Sequence, residues 1–174
     1  MQFNQFARST VAAAALSMLA GSAFAEASAT ATAQSHSTVM ASIGVAKSSD
    51  LDFGNIVRPS AAGGSGVVTM AYNSTTVAAQ SPVTTLGGTV SHAAFAVNGE
   101  PNKTFSISVP ASFNLTSNAT GATPIAVSLV TPLASASLDA TGAASVPVGG
   151  SFTVTGGTTT GAYAGSFDLT VQYN

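Results

Sequence analysis

Across 174 residues there is no cysteine, only 6% of side chains are charged, and the formal net charge is −2. Thiol catalysis, thiolate metal sites and a disulfide framework are excluded, and so few cations can neither neutralise a nucleic-acid backbone nor draw the chain to an anionic membrane. Serine, threonine, glycine and alanine stand where charges normally keep a monomer soluble, which suits either a neutral secreted surface or a subunit packed against copies of itself.

In chain order, Arg8, the short apolar run 11–21 and the small-x-small triplet Ala23-Phe24-Ala25 have the layout of a secretory signal peptide. The run is shorter than the ~20 residues a membrane span needs. The expectation is an exported chain of residues 26–174, a length suited to one domain. After cleavage, Lys47, Arg58 and Lys103 face Glu26, Asp50, Asp52, Glu100, Asp139 and Asp168. The division expected is a signal peptide at 1–25, an N-terminal extension at 26–37 and a β-domain at 38–174.

The extension alternates Ala27, Ala29, Ala31 and Ala33 with hydroxyl and amide residues, and the same parity resumes at Val39, Ala41, Ile43 and Val45. Residues 27–45 thus read as one long strand or two in tandem. Residues 50–57 read as a short strand with a bulge at Gly54, and residues 67–72 as the next. The segment 73–85 is polar and weakly patterned. A strand at 89–97 is closed by Asn98-Gly99, a pair typical of tight hairpins. Phe105, Ile107 and Val109 alternate inward, as do Ile125, Val127 and Leu129; residues 113–116 are short and ambiguous. Residues 133–148 are rich in turn formers, after which Phe152 and Val154 mark a strand ended by Gly156-Gly157. Finally, Tyr163, Gly165, Phe167, Leu169, Val171 and Tyr173 alternate with Ala164, Ser166, Asp168, Thr170 and Gln172, a strand with one apolar face. No stretch after the signal carries apolar residues at helical spacing over three turns. Seven to nine short strands with Gly/Pro turns predict an all-β sandwich or barrel.

Chemistry is scarce along this chain. Nucleophilic catalysis needs a base beside the nucleophile, and only His36 and His92 are present. His36 lies in the polar break of the extension, and neither histidine stands next to a G-x-S-x-G motif. Asp50 and Asp52 share one strand face, but the further oxygen ligands of a calcium loop do not follow; such aspartates more often cap turns or keep an edge soluble. Aromatic residues are scattered singly, so no stacking platform for sugars or bases stands out. Runs such as 105–109 are shorter than the 9 to 11 residues of a transmembrane barrel strand, so direct membrane insertion is not expected. No enzyme activity, metal or cofactor is expected.

Four stretches carry a resemblance: D-L-D-F-G-N-I-V at 50–57, L-G-G-T-V at 86–90, F-A-V-N-G-E-P at 95–101 and the terminal G-x-Y-x-G-x-F-x-L-x-V-x-Y. In order and spacing they resemble a domain-of-unknown-function family of secreted proteobacterial proteins, from about residue 38 onward. The terminal motif is also similar to that of chaperone-usher pilus subunits, in which a penultimate tyrosine and a glycine fourteenth from the end flank alternating apolar residues; Tyr173 and Gly161 hold those places. Many classical pilins carry a cysteine pair that is absent here, which points to a divergent branch.

The resemblance implies an immunoglobulin-like β-sandwich that lacks its final strand. A periplasmic chaperone would fill the gap first, and the N-terminal extension of the next subunit would replace it during assembly at an outer-membrane usher. Gly161, Tyr163, Phe167, Leu169, Val171 and Tyr173 would form the receiving edge, and a segment from Ala27 to about Ala41, with Ala27, Ala29, Ala31, Ala33, Val39 and Ala41 facing inward, would be donated. Four alanines contribute only about 3 kcal/mol at ~0.8 kcal/mol per methyl, so donation of residues 39–45 is the stronger choice by area. The function implied is that of a homopolymeric extracellular filament subunit serving adhesion or biofilm formation. The rival expectation is a monomeric secreted binding module whose N-terminal strand pairs with its own 163–173 edge.

Overall fold

The computed structural model describes residues 28–174; the expected signal peptide, Glu26 and Ala27 lie outside them. The chain divides into two units, Met1–Ser37 and Thr38–Asn174. In the first, residues 28–37 carry no strand. The second is all-β, and no helix occurs among the described residues.

Its strands are β1 (Gly44–Ser49), β2 (Asp52–Phe53), β3 (Ile56–Val57), β4 (Ser65–Met70), β5 (Val77–Ala79), β6 (Thr84–Thr85) and β7 (Val90–Ser91), followed by β8 (Ala93–Asn98), β9 (Thr104–Ser108), β10 (Ser112–Leu115), β11 (Ile125–Val130), β12 (Ser135–Ser137), β13 (Ala143–Thr155) and β14 (Thr170–Tyr173). Every pairing is antiparallel. The main sheet runs β1-β8-β13-β11-β10, with β4 and β5 joined to the far half of β13; a three-stranded sheet runs β12-β9-β14; β2-β7 and β3-β6 are short ribbons. Curled antiparallel sheets closing over apolar side chains make a β-sandwich-like fold, as the strand periodicity predicts.

The longest strand organises the core. Residues 143–148 of β13 pair with β8, and from Gly149 onward β13 is flanked by β11 and β4. The change of partners falls at Gly149-Gly150, where a Cβ on Gly149 would collide with the backbone of Met70, Ala71 and Tyr72. Only glycine lets the neighbouring chain pass so close, so the pair bends a continuous strand where the sequence pattern suggests a break. Expected as turn-rich, residues 133–148 instead contain β12 and the first half of β13.

Two apolar clusters result. Phe53, Val68, Met70, Val83, Val127, Phe152 and Val154 form one, and the edge of the Phe53 ring meets Phe152 with centroids 4.8 Å apart. Ala93, Val97, Phe105, Leu138, Val146, Val148 and Leu169 form the other, between the main and three-stranded sheets. No polar or charged residue is fully buried among the described residues. Asp139 organises the turn into β13 by accepting bonds from the Thr141 hydroxyl and from the Thr141 and Ala143 amides; these bonds hold its carboxyl below the ordinary value.

Several expected elements change. Residues 28–43 form no strand, so the long N-terminal strand reduces to β1, which pairs with β8 from Gly44 onward. Residues 50–57 split into β2 and β3 on either side of Gly54, whose φ is +69°. The weakly patterned 73–85 segment holds β5, β6 and the buried Val83. Asn98-Gly99 is no hairpin, because β8 and β9 belong to different sheets and the connection crosses between them. The terminal strand is not continuous either: Ala164 makes an isolated bridge to Thr116, and laddering resumes only at Thr170.

Candidate functional site

The break in the terminal strand borders a groove of about 940 Å³, lined on one side by residues 47–58 and on the other by residues 158–167. The first bank is tied along one edge only. Lys47 stands in register with Phe95, Asp52 and Phe53 with Ser91 and Val90, and Ile56 and Val57 with Thr85 and Thr84. The second bank is tied to the body through Ala164, whose N–H donates to the Thr116 carbonyl at 2.9 Å and whose carbonyl accepts from the Thr116 N–H at 2.8 Å.

Backbone groups alternate sides along an extended chain. With those of Ala164 turned to Thr116, the groups of Tyr163 and Gly165 turn the other way, toward the groove. Among the described residues no backbone hydrogen bond ties 165–169 to another segment. An extended stretch with unused N–H and C=O groups beside an apolar cleft is a template for a further strand.

The floor is aromatic. Phe53, Phe95, Phe113, Phe152 and Phe167 line it together with Leu115, Ile125 and Val154. Phe167 sits 6.0 Å from Phe95 and 5.2 Å from Phe113, ring centre to ring centre, within the range of favourable aromatic pairs. The floor joins members of both apolar clusters, so the groove opens the core from the side. These phenylalanines come from five separate stretches and look isolated in the sequence; only folding collects them.

The predicted edge residues divide between two environments. Gly161, Tyr163 and Phe167 line the groove, with the Tyr163 hydroxyl donating to the Thr159 carbonyl at 2.9 Å. Leu169 is buried and Val171 and Tyr173 pack beside it in the cluster between the sheets. Of the donor candidates, Ala29, Ala31 and Ala33 fall in the strandless first unit, Ala27 lies outside the described residues, and Val39 is 93% exposed.

Ala41 differs from the other donor candidates. Its N–H donates to Glu100 Oε2 at 3.0 Å, and its carbonyl accepts from the Tyr173 hydroxyl at 3.0 Å. The same hydroxyl accepts from the Glu100 N–H at 2.6 Å. Gly99 makes this possible, because a Cβ there would strike the Tyr173 hydroxyl; the glycine read as a hairpin residue serves a contact with the far end of the domain. Gly99→Ala is expected to lose roughly 1–3 kcal/mol to overpacking and the displaced hydroxyl, visible as a lower urea midpoint, and Tyr173→Phe in the same background should add little further loss. Full additivity of the two losses would refute the shared origin.

The remaining sequence candidates have local roles. The Asp50 carboxylate pairs with the Lys47 ammonium at 2.6 Å in an exposed bridge of small worth, and Asp52 Oδ1 accepts from the Gly54 N–H at 2.9 Å, closing a turn. His92 Nδ1 lies 2.9 Å from the Ser74 carbonyl.

Fold and groove together define a β-sandwich-like protein with an aromatic-floored groove between residues 47–58 and 158–167. Residues 43–173 match the family described as Domain of unknown function (DUF4402), and the chain belongs to that family. No curated protein and no solved structure gives a significant match.

Proposed function

We propose that this protein is the structural subunit of an extracellular filament assembled by donor-strand exchange, the groove of each subunit receiving the N-terminal extension of the next. The observation that carries this reading is the pairing of an aromatic floor with two banks whose facing edges are free. An inserted strand would gain backbone bonds from both banks and cover the floor with alternate side chains. Ala41 and β1 are engaged within the domain, which argues against donation of residues 39–45 and favours the alanine stripe of 27–33. Alanine methyls fit beneath a backbone that must lie close to five phenyl rings, and backbone bonding then supplies most of the hold. A periplasmic chaperone would cover the floor before assembly, and an outer-membrane usher would order the exchange, with adhesion or biofilm formation as the filament's role.

The test compares the mature protein with a form lacking residues 26–37. A ladder of heat-dissociable species on a denaturing gel, lost on truncation, is the expected result. A full-length monomer that truncation merely destabilises would mean that the extension fills its own groove, making the protein a closed monomeric module instead.

A further inference from the structure

Two polar contacts join the segments that carry the banks, one at the Arg58 end of the groove and one beyond its other end. Beyond one end, past the Lys47 and Phe167 that line it, the Tyr173 hydroxyl donates to the Ala41 carbonyl, with Glu100 holding the Ala41 N–H. At the other, Arg58 Nη1 donates to the carbonyls of Gly156 and, at 3.0 Å, of Thr158. The segments 41–58 and 156–173, which contain the banks, run in opposite directions between these contacts. Counted to Gly156, the two contacts are seventeen residues apart along each segment. Between them no ladder joins β1 to β14.

A direct ladder would draw the banks to about 4.8 Å and close the cleft. Bridges made through a whole tyrosine or arginine side chain fix the ends without that approach. Apolar floors favour closure, since closing removes phenyl surface from water; flanking segments spaced by long side chains resist it.

We infer that Arg58, at one end of the groove, and Tyr173 with Glu100, beyond the other, are positioning residues that pin the two segments carrying the banks and hold the groove open before a strand enters. The inference rests on the donor-strand reading for its biological use but not for its physical content. Pinning acts by pre-organisation: if the unpinned slot is open only a tenth of the time, apparent affinity for a strand falls about tenfold with intrinsic affinity unchanged.

The test uses the whole mature chain carrying Arg58→Met and Tyr173→Phe, which keep the apolar stems and delete the donors. Because the chain contains no cysteine, spin labels at Ser48→Cys and Ser166→Cys, exposed positions on the two banks, report their separation without competing sites. The parent is expected to show one narrow distance distribution, and the doubly unpinned variant a broadened or shortened one. An unchanged distribution overturns the inference even if the urea midpoint drops, because a merely structural role would lower stability and leave the folded separation alone. In parallel, a fluorescent peptide of residues 26–40 is expected to bind the unpinned chain about tenfold more weakly through slower association, with dissociation unaltered. Weakening through faster dissociation alone would also overturn it. Should the peptide fail to bind the parent, the donor-strand reading falls, and the label distances decide the pinning by themselves.

Discussion

Replacing Phe105 by alanine is expected to cost about 3–5 kcal/mol, the largest loss from any single side chain in this fold. Phe105 lies in the central strand of the three-stranded sheet, opposite Ala136 on one side and Tyr173 on the other, and is wholly buried against the main sheet. Small neighbours such as Ala136 offer little to collapse into the space, so the cavity persists and adds to the lost transfer energy. Against a total stability of about 5–15 kcal/mol, the variant sits near the edge of folding. Urea unfolding measures the loss. Leu133→Ala, at an exposed loop position, should stay within about 0.5 kcal/mol of the parent, and equal losses for the two would contradict this account of the core.

The second large effect rests on the proposed donor-strand assembly and on the alternation of side chains along a donated strand. Ala31→Asp would turn a carboxylate onto the aromatic floor, whereas Thr30→Asp would point one to solvent from the next position on the same strand. An unpaired charge forced into an apolar site costs about 3–5 kcal/mol, roughly 10²- to 10³-fold or more in affinity. Ala31→Asp is therefore expected to abolish the ladder at concentrations where Thr30→Asp leaves it intact, with both chains keeping the parent's urea midpoint. Sedimentation or gel analysis at matched concentration decides it. Equal behaviour of the two variants would mean that the extension does not enter a groove as an alternating strand.

What the sequence disclosed and what it hid follow from the range of the forces involved. The inward turn of Tyr163, Phe167, Leu169, Val171 and Tyr173 was legible because side-chain alternation is a property of the local backbone, and these positions are the less exposed ones in 163–173. The gap in pairing at 165–169 was not, since it depends on which segment lies alongside. Asn98-Gly99 misleads for the same reason: dipeptide preference is local, and the demand for glycine at 99 comes from Tyr173 at the other end of the domain. Gly149-Gly150 reads as punctuation and is in fact a bend in an unbroken strand. The aromatic floor was invisible as a unit because Phe53, Phe95, Phe113, Phe152 and Phe167 are distant in sequence, and Arg58 gave no sign of the carbonyls it would meet about a hundred residues later.

The thirteen residues of β13 supply Val146 and Val148 to one apolar cluster and Phe152 and Val154 to the other. A strand shared in this way couples the melting of the two halves: neither cluster can lose its wall without disturbing the backbone that carries the other's. Heat should therefore dissolve the domain in one all-or-none step, with calorimetric and van't Hoff enthalpies equal. A pull applied across the domain would likewise meet one mechanical unit rather than two that yield in turn.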